Sequence, residues 1–112
     1  RIKDLVIRGG ENIGCAEVEA ALLALDPVLE ASVYAVPDAR LGEEVGATLY
    51  TQGDLDITQI QAELAEHIAK FKIPRYIHLE AKPLPRIASG KIDKRTLRAS
   101  AAARLGLTSE PV

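Results

Sequence analysis

The residues best equipped for chemistry lie in one stretch, Pro85-Arg86-Ile87-Ala88-Ser89-Gly90-Lys91-Ile92-Asp93-Lys94-Arg95-Thr96-Leu97-Arg98. It sets one ammonium, Lys91, directly after a glycine, between a proline-stiffened approach and a segment of helical character. A flexible four-carbon stem ending in a compact charge can reach a phosphate or a carboxylate, and Gly90 lets the backbone bend close to a ligand. The chemistry implied is contact with an anion. The plainer alternative, for Ser-Gly-Lys taken alone, is a solvent-facing lysine in a turn. Gly9-Gly10, after Leu5-Val6-Ile7, has the composition of a hairpin turn. Other reactive side chains offer less. Neither His67 nor His78 has a visible partner for acid–base work. Glu17 and Glu19, two apart on a helix, point in different directions and read as solvent contacts. Cys15 is the only cysteine, which excludes an intrachain disulfide, and no Cys/His set has zinc spacing. Near a helix N-terminus its thiol pKa could be lowered, but the reading adopted is a small apolar residue packed under the helix.

A chain of 112 residues, 47% hydrophobic, fits one compact domain. No apolar run approaches the ~20 residues that span a bilayer, and Arg1-Ile2-Lys3-Asp4 lacks the apolar core of a secretory signal. A cytoplasmic setting without a transmembrane segment is expected. The formal charge of −2 conceals a segregation. Residues 1–69 hold four Lys/Arg against thirteen Asp/Glu, whereas residues 70–112 hold ten against three. The basic half, with Arg75, Arg86, Lys91, Lys94, Arg95 and Arg98, could face a polyanion or a phosphorylated small molecule, or form a solvated helix face. Tyr76 is the only aromatic residue after Phe71, so stacking platforms for nucleic acid are missing and no nucleic-acid partner is expected.

The elements that must position these residues follow from periodicity. Leu5-Val6-Ile7 closed by Gly9-Gly10 reads as one arm of a hairpin. Val18, Leu22 and Leu25 recur at helical spacing from Cys15 to Leu25, and Pro27 closes that helix. Val28–Val36 and Val45–Tyr50 read as strands separated by a loop over Pro37–Gly42. Thr58 and Gln61 have capping-box spacing, and Ile60, Leu64, Ile68 and Phe71 form a helical stripe ending near Pro74. Arg75–Leu79 alternates as a half-buried strand, with His78 on its exposed side, and Pro83 and Pro85 end it. Asp93 is a candidate N-cap for a last helix carrying Leu97 and Leu105 on one side. The fold class expected is α+β: a small mixed sheet flanked by about three helices, with an N-terminal β-hairpin.

Two motifs in order, Arg1-Ile2-Lys3-Asp4-Leu5-Val6-Ile7-Arg8-Gly9-Gly10-Glu11-Asn12-Ile13 and the lysine loop, stand about eighty residues apart. Together they resemble the C-terminal lid domain of AMP-forming acyl-CoA synthetases of the adenylate-forming superfamily, and the element order between them also fits. The resemblance implies an acid–thiol ligase that makes acyl-AMP from ATP and a fatty or other carboxylic acid, then acyl-CoA. ATP and coenzyme A would be substrates, with Mg2+ and ATP bound mainly by a large N-terminal domain of the same polypeptide. The small domain rotates between the two steps. Lys91 matches the lysine bridging carboxylate and α-phosphate, so it is the implied catalytic and nucleotide-binding residue. Arg1 matches a nucleotide-binding arginine and Lys3 the hinge. Gly9, Gly10 and Glu11 match the segment lining the pantetheine tunnel, and Lys72 and Arg75 fall where some relatives contact the 3′-phosphate of coenzyme A.

The implied limits are a lid over residues 1–107, a mobile tail over 108–112, and a large domain missing upstream, so the 112 residues alone should be inactive. One departure stands out. Many members continue the glycine motif with Tyr-Pro, whereas Gly14-Cys15 stands here, which leaves the subfamily open. Two alternatives are the small subdomain of a peptide-synthetase adenylation domain and a non-catalytic binding module with the lid fold.

Overall fold

The computed structural model of the protein describes residues 4–106. Its spine is a long antiparallel pair, β3 (Val28–Asp38) with β4 (Gly42–Thr51). An N-terminal hairpin of β1 (Leu5–Arg8) and β2 (Glu11–Gly14) touches β4 through the Arg8–Gly42 bridge. β5 (Tyr76–Glu80) pairs parallel with β4 over Gly46–Tyr50, so the five-stranded sheet is mixed. Among the described residues three α-helices accompany it: α1 (Cys15–Leu23), α2 (Ile57–Leu64) and α3 (Lys94–Leu105). The α+β class, the mixed sheet, the hairpin and the helix number match the expectation.

Residues 31–36 of β3 are all buried, because helices cover the sheet on both sides. Side chains alternate across a strand. Ala31, Val33 and Ala35, with Val45, Ala47 and Leu49 of β4, join Val18 and Leu22 of α1 and Ile60 and Leu64 of α2 in the larger core. The opposite set, Tyr34 and Val36, packs against Leu84 and, from α3, Leu97 and Ala101. A bulge between Val28 and Glu30 leaves Leu29 unpaired and exposed and changes the phase of the strand. Val28 therefore enters the larger core, while Glu30 lies on the α3 side near Leu84.

Several boundaries differ from the expectation. Pro37 belongs to β3, opposite Glu43, and only residues 39–41 make the turn; an edge strand tolerates a proline because its outward N–H needs no partner. The stripe Ile60, Leu64, Ile68, Phe71 does reach the core, but α2 stops at Leu64. Beyond it the chain tightens through bonds from the Glu66 amide to the Glu63 carbonyl and from the His67 amide to the Leu64 carbonyl, then makes a 3-10 turn over Lys70–Lys72. Asp56, not Thr58, caps α2, accepting from the Thr58 amide, and Gln61 donates instead to the Pro74 carbonyl at 2.9 Å. Asp93 caps α3 as expected, accepting from the Thr96 amide, whereas Leu105 is exposed. Residues 107 and 108–112 lie outside the described residues, as do Arg1 and Lys3.

Gly46, opposite Tyr34, is set by space. A Cβ there would lie 2.9 Å from Tyr34 Cε1 and 3.2 Å from Val36 Cγ1, both in buried side chains. The Tyr34 hydroxyl is fixed at 2.7 Å from Thr48 Oγ1, which limits retreat of the ring. Gly46→Ala should therefore lower unfolding free energy by ~1–3 kcal/mol, as overpacking does. Urea unfolding checks this, and an unchanged midpoint would contradict it.

Candidate functional site

Lys91 sits in a small closed loop outside the main sheet. The Gly90 amide donates to the Ile87 carbonyl at 2.9 Å, making a tight turn, and the Ile87 amide donates to the Lys91 carbonyl at 2.8 Å. Arg86 and Ile92 bridge below it, and the Asp93 amide reaches the Pro85 carbonyl at 2.8 Å. Gly90 has φ +93°, a left-handed conformation that favours glycine, and a Cβ there would meet nothing, so backbone angle and not space requires it. Lys91 is exposed. Among the described residues the ion pairs of this region go to its neighbours Arg86 and Lys94, leaving the Lys91 ammonium free for a ligand.

Gly9 and Gly10 join β1 to β2 as a two-residue turn with φ of +54° and +90°, the pattern of a type I′ hairpin. The turn is pinned to the tip of the β3–β4 hairpin. The Gly9 amide donates to the Leu41 carbonyl at 2.9 Å, and the Ile7 amide donates to Glu43 at 2.7 Å. Arg8 Nε donates at 2.9 Å to the buried Glu44 carboxylate. That tip is itself organised by Asp38, whose carboxylate accepts from the Leu41 amide at 2.7 Å and the Arg40 amide at 3.1 Å. The Leu41 hydrogen bond, reinforced by that from Arg40, holds the Asp38 carboxyl below its usual range.

The other expected contacts are placed differently. Glu11 is exposed beside the glycine turn, at the start of β2. Lys72 is not free: its ammonium lies 3.0 Å from both Glu17 carboxylate oxygens and 5.8 Å from the Phe71 ring centroid. Arg75 is exposed, its guanidinium 5.3 Å from the Tyr76 ring centroid. Glu17 and Glu19 are not mere solvent contacts. Glu17 pairs with Lys72, while Glu19 accepts from the Val33 amide at 2.8 Å and lies 2.9 Å from Lys94. His78 is half-buried and has a partner after all, Glu80 at 2.9 Å, two residues along the same strand face. His67 lies exposed in the turn after α2.

The largest omission from the sequence reading is Glu30. Its carboxylate accepts from the Leu84 amide at 2.8 Å and pairs with Arg86, and Arg86 Nη1 donates to the Gly90 carbonyl at 2.7 Å. The only sequence signal was an acidic side chain inside a strand buried on both faces. Lys94, two residues past Ile92, pairs with Asp4 and Glu19 and so ties α3 to the start of β1 and to α1. Burial pulls its ammonium down, but hydrogen bonds to Asp4 and Glu19 and the Glu19 charge outweigh this, leaving its pKa above the ordinary value.

The lysine loop is thus anchored at Glu30 and the glycine turn at Leu41 and Gly42, at opposite ends of the β3–β4 hairpin. Asp38 stands eight steps along the strand from Glu30, roughly 25 Å at the usual rise. Among the described residues no three His, Cys, Asp or Glu side chains form a metal-ligand group, and no helix is long and apolar enough to cross a membrane.

Residues 17–91 match the family described as AMP-binding enzyme C-terminal domain. The chain belongs to that family. It is 45% identical over 109 residues to a mitochondrial medium-chain acyl-CoA ligase of Danio rerio, covering 96% of this chain and 18% of that protein. It is 39% identical over 111 residues to a putative acyl-CoA synthetase of Bacillus subtilis, covering 97% and 20%. A fatty acyl CoA synthetase of Mycobacterium tuberculosis superposes with a TM-score of 0.82 at 31% identity, over 90% of this chain and 20% of that one. The amide bond synthetase McbA from Marinactinospora thermotolerans superposes with a TM-score of 0.83 at 28% identity, over 89% and 20%. The chain therefore spans about a fifth of the length of such relatives. The architecture matches C-terminal domains of adenylate-forming enzymes.

Cys15, the first residue of α1, is buried, as the apolar reading expected. Burial, only partly offset by the Lys94 charge, pushes its thiol from 9.0 to about 12. The folded thiol thus stays protonated where the unfolded one ionises. The stability this contributes is complete below pH 9 and is lost as pH rises through about 12. Unfolding midpoints at pH 8 and pH 11 should fall less for Cys15→Ala than for the parent chain, and an equal fall would contradict this.

Proposed function

We propose that this domain is the lid of an AMP-forming acyl-CoA ligase and that Lys91 and Gly9-Gly10 serve its two half-reactions in turn. The observation that carries the reading is their separation: an exposed ammonium with no ion-pair partner among the described residues at one end of the β3–β4 hairpin, and a two-glycine turn at the other. In adenylation the lid places Lys91 over a site on the large N-terminal domain, which holds ATP, its Mg2+ and the carboxylic acid. The carboxylate attacks the α-phosphate, pyrophosphate leaves, and negative charge builds where the new bond forms. A preorganised ammonium in a water-poor cleft stabilises that charge more than it stabilises the separated reactants. Rotation about Lys3 then withdraws the loop and brings the glycine turn to the same site, where coenzyme A's thiol attacks the acyl carbonyl and AMP leaves. Backbone without a side chain leaves a path for the pantetheine arm.

Arg1 is assigned to the nucleotide and Glu11 to the tunnel entrance. Lys72 and Arg75 are assigned to the 3′-phosphate of coenzyme A; Lys72 must then exchange Glu17 for the phosphate, whereas Arg75 needs no such exchange. Free coenzyme A is preferred as acceptor over a carrier protein, supported by relatives described as CoA ligases from Danio rerio and Humulus lupulus. The acyl group stays undefined, since relatives this similar are described with acids as different as acetate and oxalate. A cytoplasmic setting is kept as part of the proposal, although the Danio rerio relative is described as mitochondrial.

Lys91→Ala in the full-length enzyme should slow ATP–pyrophosphate exchange by at least ~10²–10³-fold, the usual loss on removing a preorganised electrostatic donor. Thioester formation from supplied acyl-AMP should change far less. Equal loss of both half-reactions would overturn the division of labour. The 112-residue chain alone should show no exchange with any acid, and clear exchange would refute the need for a second domain.

A further inference from the structure

We infer that Arg86, held by Glu30, is a positioning residue that clamps the Lys91 loop in its reactive shape. The inference rests on the adenylation role given to Lys91. Residues 85–91 are all exposed, and Ile87, their only large apolar side chain, is 48% exposed, so hydrophobic packing does not orient the loop. Its two feet are better held, by buried Leu84 and half-buried Ile92. Between the feet, one side chain crosses the loop. The Arg86 guanidinium donates through Nη1 to the carbonyl of Gly90, the residue before Lys91, at 2.7 Å, and through Nη2 to Glu30. Glu30 is the fixed end: it is largely buried on the spine strand, and its other oxygen accepts the Leu84 amide.

This arrangement has the logic of a support for a catalytic group. Charge-assisted bonds from a planar, rigid donor fork constrain direction as well as distance, which a lysine at position 86 could not reproduce. Gly90, at φ +93°, has little intrinsic preference for one conformation, so a hold on its own carbonyl adds direction that the backbone bonds closing the loop do not give. Arg86 supplies it and never needs to touch substrate. Its contribution is geometric, and misplacement of a catalytic charge by about 1 Å can cost ~10²-fold in rate.

The test uses the full-length enzyme with Arg86→Ala, Arg86→Lys, Glu30→Gln, Lys91→Ala and the Arg86→Ala/Lys91→Ala pair. Arg86→Ala should lower kcat for ATP–pyrophosphate exchange by about ten- to a hundredfold, with little change in KM for ATP, and leave thioester formation from supplied acyl-AMP intact. Arg86→Lys should restore only part of the rate. The double variant should be no slower than Lys91→Ala, because a residue acting through Lys91 has nothing left to position. If Arg86→Ala slows the Lys91→Ala enzyme by the same factor as the parent, or slows both half-reactions equally, the clamp is refuted. Hydrogen exchange supplies a readout independent of activity. The Ile87 and Gly90 amides should exchange faster in Arg86→Ala and Glu30→Gln while β3 and β4 amides do not change, and unchanged exchange in the loop also refutes it. Full exchange activity in Lys91→Ala would defeat the functional reading instead, whereas a slow Lys91→Ala beside an unaffected Arg86→Ala would defeat only the clamp.

Discussion

The register of β3 against β4 is the constraint on which the rest of the domain depends. Because helices cover both faces of this pair, a slip of β3 by one residue would send its Val33 to the α3 side and its Tyr34 to the α1 side. The Tyr34–Gly46 match makes such a slip costly, since the ring occupies space that only a glycine partner leaves open. Glu30 and Asp38 both lie on β3, so the length of that strand sets the distance between its two ends, and the register sets what each end meets on β4. Both loops with assigned chemistry borrow their position from this pair.

Charge segregation along the chain is a second organising feature, and its meaning changed once the fold was known. Three basic residues of the C-terminal half are used against acidic residues of the N-terminal half: Lys72 on Glu17, Arg86 on Glu30, and Lys94 on Asp4 and Glu19. Each contact crosses between elements far apart in sequence. As exposed or partly exposed pairs they add modest stability. Their larger effect is directional: they settle where the 3-10 turn, the lysine loop and the start of α3 lie. Part of the basic half thus serves to fix position, and Lys91 is among the cations outside these pairs.

Sequence alone disclosed much of the architecture because much of it is local. Gly9-Gly10 announced a tight hairpin since paired positive φ angles need glycine, and Val18–Leu22 announced a helix through spacing. Asp93 announced a cap. What stayed hidden was long-range or non-periodic. The extra residue at Leu29 interrupts alternation without any turn-forming signature, and α2 ends early in tighter bonds from the Glu66 and His67 amides, with no breaker inside the stripe. Lys91 was legible by type and context, but its support was not: Glu30 and Arg86 stand 56 positions apart, and nothing local pairs them. The sequence pointed to Thr58 as the cap, and the geometry puts Asp56 there.

The opposed charge of the two halves also acts before any native contact exists. In the unfolded ensemble residues 1–69 repel one another, as do residues 70–112, while the two blocks attract across the chain. At low ionic strength, where the Debye length grows to about 30 Å at 0.01 M, that attraction draws together the segments that later supply Glu30 and Arg86. A salt-dependent bias toward non-local contacts is thereby written into the order of charges. It works against the loop-closure entropy that distant pairings must overcome.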